Sequence, residues 1–443
     1  MAMPLILASK SRPRRDLLYS AGICPTIRES HVDEPAALAQ TAEERGIDPQ
    51  SMPAEDRVAT LARAKALAVA QSFAEVAQTA REAQGDLRIS LPLQDGYGSI
   101  AKVTPIQDAI NAHQGLTSAT LGPLVIGCDS MFTLDGVVYG KPHSKENARE
   151  RLRSMRKNTG TLWTGHCLID VASGRELHAV SHAQVSFGDF SDQDIEDYIA
   201  TKEPLEVAGS FTLEGFGSAF IDNIQGDPSG VIGLSIPTLR GLVESLGIHW
   251  TELWNLSREQ KRGVNPDNPN APSENVHQPG DGWVDCACGH RHWGLNGASG
   301  VLLARRDEHS GKITDILLQH RALWSAEGGT WGAPGGATAD GESPLEGALR
   351  ESFEEANIRP EDIQVVGSYR EDHGPWGYAT VFAFEKPGHQ VNPQANDDES
   401  MSVQWVPISK IGEYKLISPL QRDWPEFEQR LHELEAQYPT HHA

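Results

Sequence analysis

The stretch GATADGESPLEGALRESFEE, residues 336–355, holds the densest chemistry in this 443-residue chain. Within it, Ser343-Pro344-Leu345-Glu346 supplies an N-cap hydroxyl, a proline for the first helical position and a glutamate placed to close a capping box. A helix is therefore predicted over 344–356. Leu345, Leu349, Phe353 and Ala356 are expected to form its apolar stripe, leaving Glu351, Glu354 and Glu355 together on another face. Like charges at such spacing destabilise an isolated helix by about 0.2–0.5 kcal/mol per pair. A hard divalent cation with oxygen ligands reverses that sign. Arg350 is within reach of Glu346 or Glu354, one turn away in either direction. A solvated acidic face is the plain alternative, but the six fixed positions coincide by chance only on the order of once in 10⁴.

Taken whole, Gly336-x5-Glu342-x7-Arg350-Glu351-x-x-Glu354-Glu355 resembles the signature of the Nudix hydrolase family. Ser352 stands where that family has an aliphatic residue, and Asn357 where it has a glycine. Asparagine tolerates a left-handed helix end, so little damage to the fold is expected. Trp331-Gly-Ala-Pro-Gly-Gly before the box, and Glu399 before Trp405-Val-Pro, are similar to the same family. The resemblance implies a Nudix α/β/α sandwich in which Glu351, Glu354 and Glu355 bind Mg²⁺ or Mn²⁺. Glu354 and Glu355 would activate water against a diphosphate, and Glu399 would be a further metal ligand or base.

Around this helix, strands are expected near 300–305, 313–318, 363–369 and 378–385, with a last helix over 423–437, an α+β pattern. Upstream the elements alternate differently. A short apolar strand at 4–8 leads to a helix at 14–20 stopped by Gly22, and a long Ala- and Leu-rich helix covers 54–73. A buried strand at 124–128 precedes the hairpin TLDGVVYG, turning at Asp135-Gly136. Strands at 162–171 and 178–187 then mix with helices at 189–201 and 237–246. This reads as an α/β domain with a mixed sheet.

Two features of that domain carry chemistry. Ser9-Lys10-Ser11-Arg12-Pro13-Arg14-Arg15 joins a strand to a helix start, where hydroxyls and backbone N–H groups make an anion site. Asp129 lies at the C-terminal end of an apolar strand, the edge where open α/β sheets bind ligands. With Val32-Asp33-Glu34, Lys65, Gly-Lys141-Pro, Glu203-Pro, Glu214-Gly, Gly226-Asp227 and Val231-Ile-Gly233-Leu, their order resembles the Maf family of nucleoside triphosphate pyrophosphatases over roughly 4–246. By that resemblance Ser9, Ser11, Arg14, Lys65 and Lys141 would hold the triphosphate. Glu34 would set metal or phosphate geometry, and Asp129 would be the general base. Glu214 would sit at the substrate, where the family often has a glutamine; a carboxylate cannot donate to a base carbonyl as an amide can. The Pro-Arg pair is shifted by Arg12-Pro13, and Ser130 replaces a threonine.

Net charge is −23, from 61 acidic and 38 basic side chains, which opposes broad nucleic-acid binding or adhesion to anionic lipid. Hydrophobic residues at 39% allow ordinary cores, and no apolar run approaches a membrane span. Five cysteines are too few and too scattered for a disulfide framework. A soluble cytoplasmic enzyme of small nucleotides is expected, with a homodimer compatible. The domains are placed at 1–257, with an insertion about 72–122, and at 283–443. The Pro- and Asn-rich stretch 258–282 is the linker between them. The insertion's first residues, SFAEVAQTAREAQ, could prolong the preceding helix.

Cys286-x-Cys288-x-His290-x-His292 has zinc-ligand residue types. Its spacing is short, and on one strand its ends would stand about 20 Å apart, so a structural or packing role is expected. The function expected for the whole is a two-headed nucleotide hydrolase that cleans the nucleotide pool. The N-terminal head would release nucleoside monophosphate and diphosphate from triphosphates. The alternatives are a nucleotide-binding regulator of cell division, or a Nudix head acting on nucleotide sugars or capped RNA.

Overall fold

The computed structural model describes residues 3–84, 123–255 and 278–438, apart from 206, 287, 340, 374–375 and 397–398. Most of the expected insertion (85–122) and linker (258–277) lies outside the described residues. The chain divides into two compact units, Met1–Gln71 with Thr120–Arg262, and Ser72–Ala119 with Gly263–Ala443.

The first unit is built on one sheet of β1 (Leu5–Leu7), β2 (Thr26–Ile27), β3 (Leu124–Leu134), β4 (Val137–Tyr139), β5 (Thr159–Asp170), β6 (Arg175–Phe187) and β7 (Ile221–Gly226). Its order is β2-β1-β3-β5-β6-β7, with β4 folded back on β3. β1 pairs in parallel with β2 and β3, and the other ladders are antiparallel, so the sheet is mixed as expected. Asp135 and Gly136, at φ 51° and 78°, make the expected β3–β4 turn.

Among the described residues, seven helices accompany the sheet: α1 (Arg12–Ser20), α2 (Glu34–Arg45), α3 (Ala54–Gln84), α4 (Lys145–Met155), α5 (Asp192–Ala200), α6 (Pro228–Ile232) and α7 (Ile236–Ser245). The SFAEVAQTAREAQ segment does continue α3. Leu124, Ile126 and Cys128 alternate onto one face of β3, packing with Leu18 of α1 and with Leu239 and Val243 of α7. The opposite face receives α3 at very close range. A Cβ on Gly127 would lie 2.2 Å from the Ala62 carbonyl oxygen, and one on Gly165 2.2 Å from that of Val58. Two glycines on neighbouring strands thus form the groove that seats the helix.

The second unit opens with a hairpin of β8 (Trp283–Asp285) and β9 (Arg291–Trp293). Its main sheet comprises β10 (Ala298–Arg306), β11 (Ile313–Arg321), β12 (Trp331–Gly332), β13 (Gly335–Ala337), β14 (Ile363–Asp372), β15 (Gly377–Glu385) and β16 (Ser400–Pro407). The order is β12-β11-β10-β15-β14, with β13 on β10 and β16 on β11. Two helices, α8 (Pro344–Ala356) and α9 (Ser418–Gln437), cover opposite faces. Val301, Leu303, Val381 and Ala383 point to α8, while Leu302, Ala304, Phe382 and Phe384 point to Leu420, Phe427 and Leu431 of α9. Strands buried on both faces need continuous apolar runs, and β10 and β15 have them. The result is the expected α/β/α sandwich.

Three local expectations change. The last helix begins at Ser418 rather than near 423, with Pro425 inside it and Leu420 and Phe427 packed in the core. The apolar side of α8 is Leu345, Ala348, Leu349, Ser352 and Ala356, with Phe353 only half-buried. Ser352 is wholly buried and its hydroxyl donates to the Leu349 carbonyl (3.1 Å), so the missing aliphatic residue leaves no unsatisfied group. Cys286 and Cys288 lie in the β8–β9 turn, not along one strand. There Cys286 N–H donates to the His290 carbonyl at 3.0 Å.

The groove sets a clear expectation for mutants. Gly127→Ala drives a methyl into helix backbone that cannot move independently, and overpacking of this kind costs about 1–3 kcal/mol. Gly241→Ala, on the exposed side of α7 with open space around it, stabilises by about 0.5–1 kcal/mol. Denaturant unfolding of the full chain checks both signs.

Candidate active sites

In the first unit, the α3 groove places Lys65 beside the sheet. Its Nζ lies 2.7 Å from Asp129 Oδ1 and 2.7 Å from Glu34 Oε1. Asp33 caps α2 by accepting from Ala36 N–H (3.0 Å), and this orients Glu34, the first helical residue. Burial raises the Asp129 pKa. Lys65 and Arg14 pull it back only in part, and Glu34 pushes it up further. The adjoining Cys128 thiol is pushed up to about 12 by burial, so it is no nucleophile near neutral pH.

Asp129 and its neighbour Ser130 point to opposite faces of β3. On the Ser130 side, Arg14 of α1 spreads its guanidinium among three oxygens. Nε donates to Gly233 O (2.8 Å), one terminal nitrogen to Ser9 Oγ (3.3 Å) and the other to Ser130 Oγ (3.3 Å). Ser9 Oγ also accepts from Ser11 N–H (3.1 Å), and Ser11 makes no side-chain cap on α1. The first-turn N–H groups of α1 therefore face a hydroxyl-lined turn suited to an anion. Lys141 and Glu214 are exposed and make no hydrogen bond or ion pair with this cluster. Glu214 Oε2 instead accepts from Leu213 N–H at 3.1 Å.

In the second unit, Arg350 is buried at 5% exposure among carboxylates. It grips Glu342 with two nitrogens (2.6 and 2.8 Å) and reaches Glu351 (2.6 Å), Glu354 (3.2 Å) and the Ala337 carbonyl (2.9 Å). Burial opposes the guanidinium's charge, but Glu342, Glu351 and Glu354 outweigh it and raise the pKa well above the ordinary arginine value. Glu346 does not join them. It closes the capping box on Ser343 N–H at 2.9 Å.

Glu355 Oε2 accepts from Gly335 N–H (2.8 Å), and a Cβ on Gly336 would strike the Glu351 carboxylate at 2.8 Å. The Gly-Gly pair thus lets β13 run against both glutamates. Asp281, inside the stretch expected as linker, accepts from Gln278 N–H (2.7 Å). Its pKa lies well above the ordinary value, through burial and the charges of Glu399 and Glu351. Glu342, Glu351, Glu354, Glu355 and Glu399 thus gather with Arg350, and the Asp281 carboxyl lies near them. A set this rich in anionic oxygen fits a hard divalent cation.

A family model described as Maf-like protein matches residues 4–246, and one described as NUDIX domain matches residues 295–426. The chain belongs to the Maf family and carries a Nudix domain. It is 58% identical to a nucleoside triphosphate pyrophosphatase/Nudix hydrolase fusion protein of Bifidobacterium longum, over 98% of this chain and 99% of the relative. A nucleoside triphosphate pyrophosphatase of Leifsonia xyli is 42% identical over 57% of this chain and 97% of its own length. Among solved structures, the Nudix hydrolase RenU of M. smegmatis is 34% identical. It covers 37% of this chain and all of its own, at a TM-score of 0.32. Both domains are hydrolases, and Nudix hydrolases need divalent metal cations.

Two further residues shape the Maf head: His166, which carries no sequence signal of its own, and Glu203 of the Glu203-Pro pair. His166 on β5 is pushed down to about 4, by burial and then by the Arg14 charge. The neutral ring accepts from Ser235 N–H through Nε2 at 2.9 Å, which fixes the turn presenting Gly233 O to Arg14. Glu203 organises the loop around Glu214, accepting from Tyr198 OH (2.9 Å) and from Phe216 and Gly217 N–H (3.0 Å each). In the Nudix domain, Asp281 was hidden by its polar surroundings, and Glu342 was legible only as part of the motif.

Arg350→Met leaves several part-buried carboxylates without their cation, a loss that typically costs about 3–5 kcal/mol. Unfolding of the Nudix domain should show it, and added Mg²⁺ should restore part of it. An unchanged midpoint in chelator would contradict this charge balance.

Proposed function

We propose that the Maf head hydrolyses nucleoside triphosphates to nucleoside monophosphate and diphosphate. The observation that carries this reading is Lys65 bridging Asp129 and Glu34 at 2.7 Å each, beside the Ser9–Arg14 anion turn. Lys65 has three ammonium protons, and two serve these carboxylates, so one is left for a phosphate oxygen. Arg14 uses three of its five N–H donors on protein oxygens and keeps two for the triphosphate. Asp129 takes the proton of a water that attacks the α-phosphorus. The bond to the bridging oxygen breaks, and diphosphate leaves toward the cations. Lys141 and Glu214 would meet the outer phosphates and the base respectively, and their exposure leaves both open to substrate.

For the Nudix head we propose cleavage of a diphosphate linkage in a nucleoside-diphosphate compound. Glu351, Glu354, Glu355 and Glu399 would hold Mg²⁺ or Mn²⁺, which when bound supplies charge to the phosphates and a more acidic water. Arg350 keeps the glutamates oriented, and Gly335 N–H fixes Glu355. Together the two heads would serve nucleotide pool sanitation. The five free cysteines suit the reducing cytoplasm. Among the described residues no helix is long and apolar enough to cross a membrane.

Asp129→Asn keeps the size and removes the base, so diphosphate release from triphosphates should fall by about 10²–10⁴, with Nudix-type hydrolysis unchanged. Glu354→Gln with Glu355→Gln should silence only the Nudix reaction. Product analysis by chromatography, with substrates that separate the heads, decides both. Loss of both activities from either well-folded variant would sink the two-headed reading.

The base must be ionised to act, so a raised Asp129 pKa places the acid limb of kcat/KM above the ordinary value of 3.8. Lys65→Met removes the cation that favours the carboxylate. The limb should then move to still higher pH, along with a rise in KM. A profile whose acid limb stays in place would remove Asp129 as the titrating base.

A further inference from the structure

The fold gathers a set of side chains that the nucleotide chemistry does not use. Cys286 and Cys288 from the β8–β9 turn, His292 from β9 and His373 just after β14 bring four ligand atoms within 4.8 Å of one another. His290, the remaining member of the sequence cluster, is exposed and stays out of this group. Its place is taken by a histidine more than eighty residues downstream.

From this convergence we infer that the Nudix domain binds one structural Zn²⁺ through Cys286, Cys288, His292 and His373. Two thiolates and two imidazoles are a closed zinc ligand set, and their softness favours Zn²⁺ over the hard cation proposed for the glutamates. Tetrahedral bonds of about 2.0–2.3 Å separate neighbouring ligand atoms by roughly 3.5 Å, so the observed cluster needs little contraction. Cys288 Sγ already lies 3.1 Å from His292 Nε2. Binding would release the two thiol protons and leave the chain otherwise unchanged.

The surroundings are built as a metal site's are. His373 Nε2 meets Glu371 Oε1 at 2.7 Å, and Glu371 Oε2 accepts from Arg422 at 2.9 Å. A carboxylate on one ring nitrogen orients the imidazole and leaves Nδ1 as the metal-facing atom. His292 stacks on Trp376 at 4.1 Å and 13°, and Trp376 Nε1 donates to the Trp293 carbonyl at 2.9 Å. Gly289, at φ 86°, makes the reversal that turns both thiols to one side. With four protein ligands no position remains for substrate, so the ion's role is to tie the β8–β9 hairpin to the end of β14. Asp281 lies five residues before Cys286, so this tether also anchors the backbone that brings it to the acidic face.

Untagged full-length protein, purified under reduction and dialysed against Mg²⁺, should retain one zinc per chain by elemental analysis. Cys288→Ser with His373→Gln should cut this at least tenfold. Glu354→Gln with Glu355→Gln should keep it, which separates this site from the Nudix metal. Co²⁺ added to reduced, metal-stripped wild type should give thiolate-to-cobalt absorption at one equivalent, and this readout needs no variant to fold. Three outcomes would overturn the inference: no zinc retained together with no cobalt band, zinc unaffected by the double variant in folded protein, or Cys286 and Cys288 joined as a disulfide in protein that cannot be reloaded after reduction.

Discussion

A single buried guanidinium among clustered carboxylates is the interaction on which the Nudix half depends. Arg350 touches Glu342, Glu351, Glu354 and a backbone carbonyl at 2.6–3.2 Å, and every one of those contacts lies within hydrogen-bond range. Burying so many like charges without it would cost several kcal/mol. The Maf half uses the same device in smaller form, with Lys65 between Asp129 and Glu34. In a chain of net charge −23, local cations rather than overall charge decide where a polyphosphate can bind.

Both cations reach their partners because backbone approaches backbone where a side chain would intervene. Gly127 and Gly165 admit α3 to the sheet and thereby bring Lys65 to Asp129. Gly335 and Gly336 admit β13 to the acidic helix, where one donates to Glu355 and the other leaves room for Glu351. Gly233 has the same part for Arg14: its φ of 125° turns its carbonyl to Nε, and a Cβ there would sit 3.1 Å from that nitrogen. Packing geometry and charge placement are thus one design in each head.

Much of the architecture was legible because it rests on local periodicity and punctuation. The helix at 344–356 follows from its capping box and proline, and Asn357 ends it at φ 57° as its residue type allows. The Asp135-Gly136 hairpin follows from two residues that accept positive φ. Less legible were elements set by distant partners. The helix at 418 starts before Pro425 because Leu420 and Phe427 dock on the sheet face, a contact that local spacing does not reveal. Ser352 replaces an aliphatic residue in the core, and only its bond to Leu349 explains why a hydroxyl can be buried there.

By itself the sequence determined the charged inventory of both heads, since Asp129, Lys65, Arg14 and Glu351, Glu354 and Glu355 of α8 lie in motifs whose order along the chain is fixed. Tertiary structure decided which of those groups meet. It chose Glu342 and Glu351 over Glu346 as partners of Arg350, brought Asp281 to the acidic face, and left Lys141 and Glu214 outside the ion-paired cluster. It also exchanged His290 for His373 beside the two cysteines. The physical reason is the same throughout. Spacing along a helix or strand fixes neighbours within a turn or two, whereas charges and soft ligands respond to distance in space, which only the packed sheets bring below 5 Å.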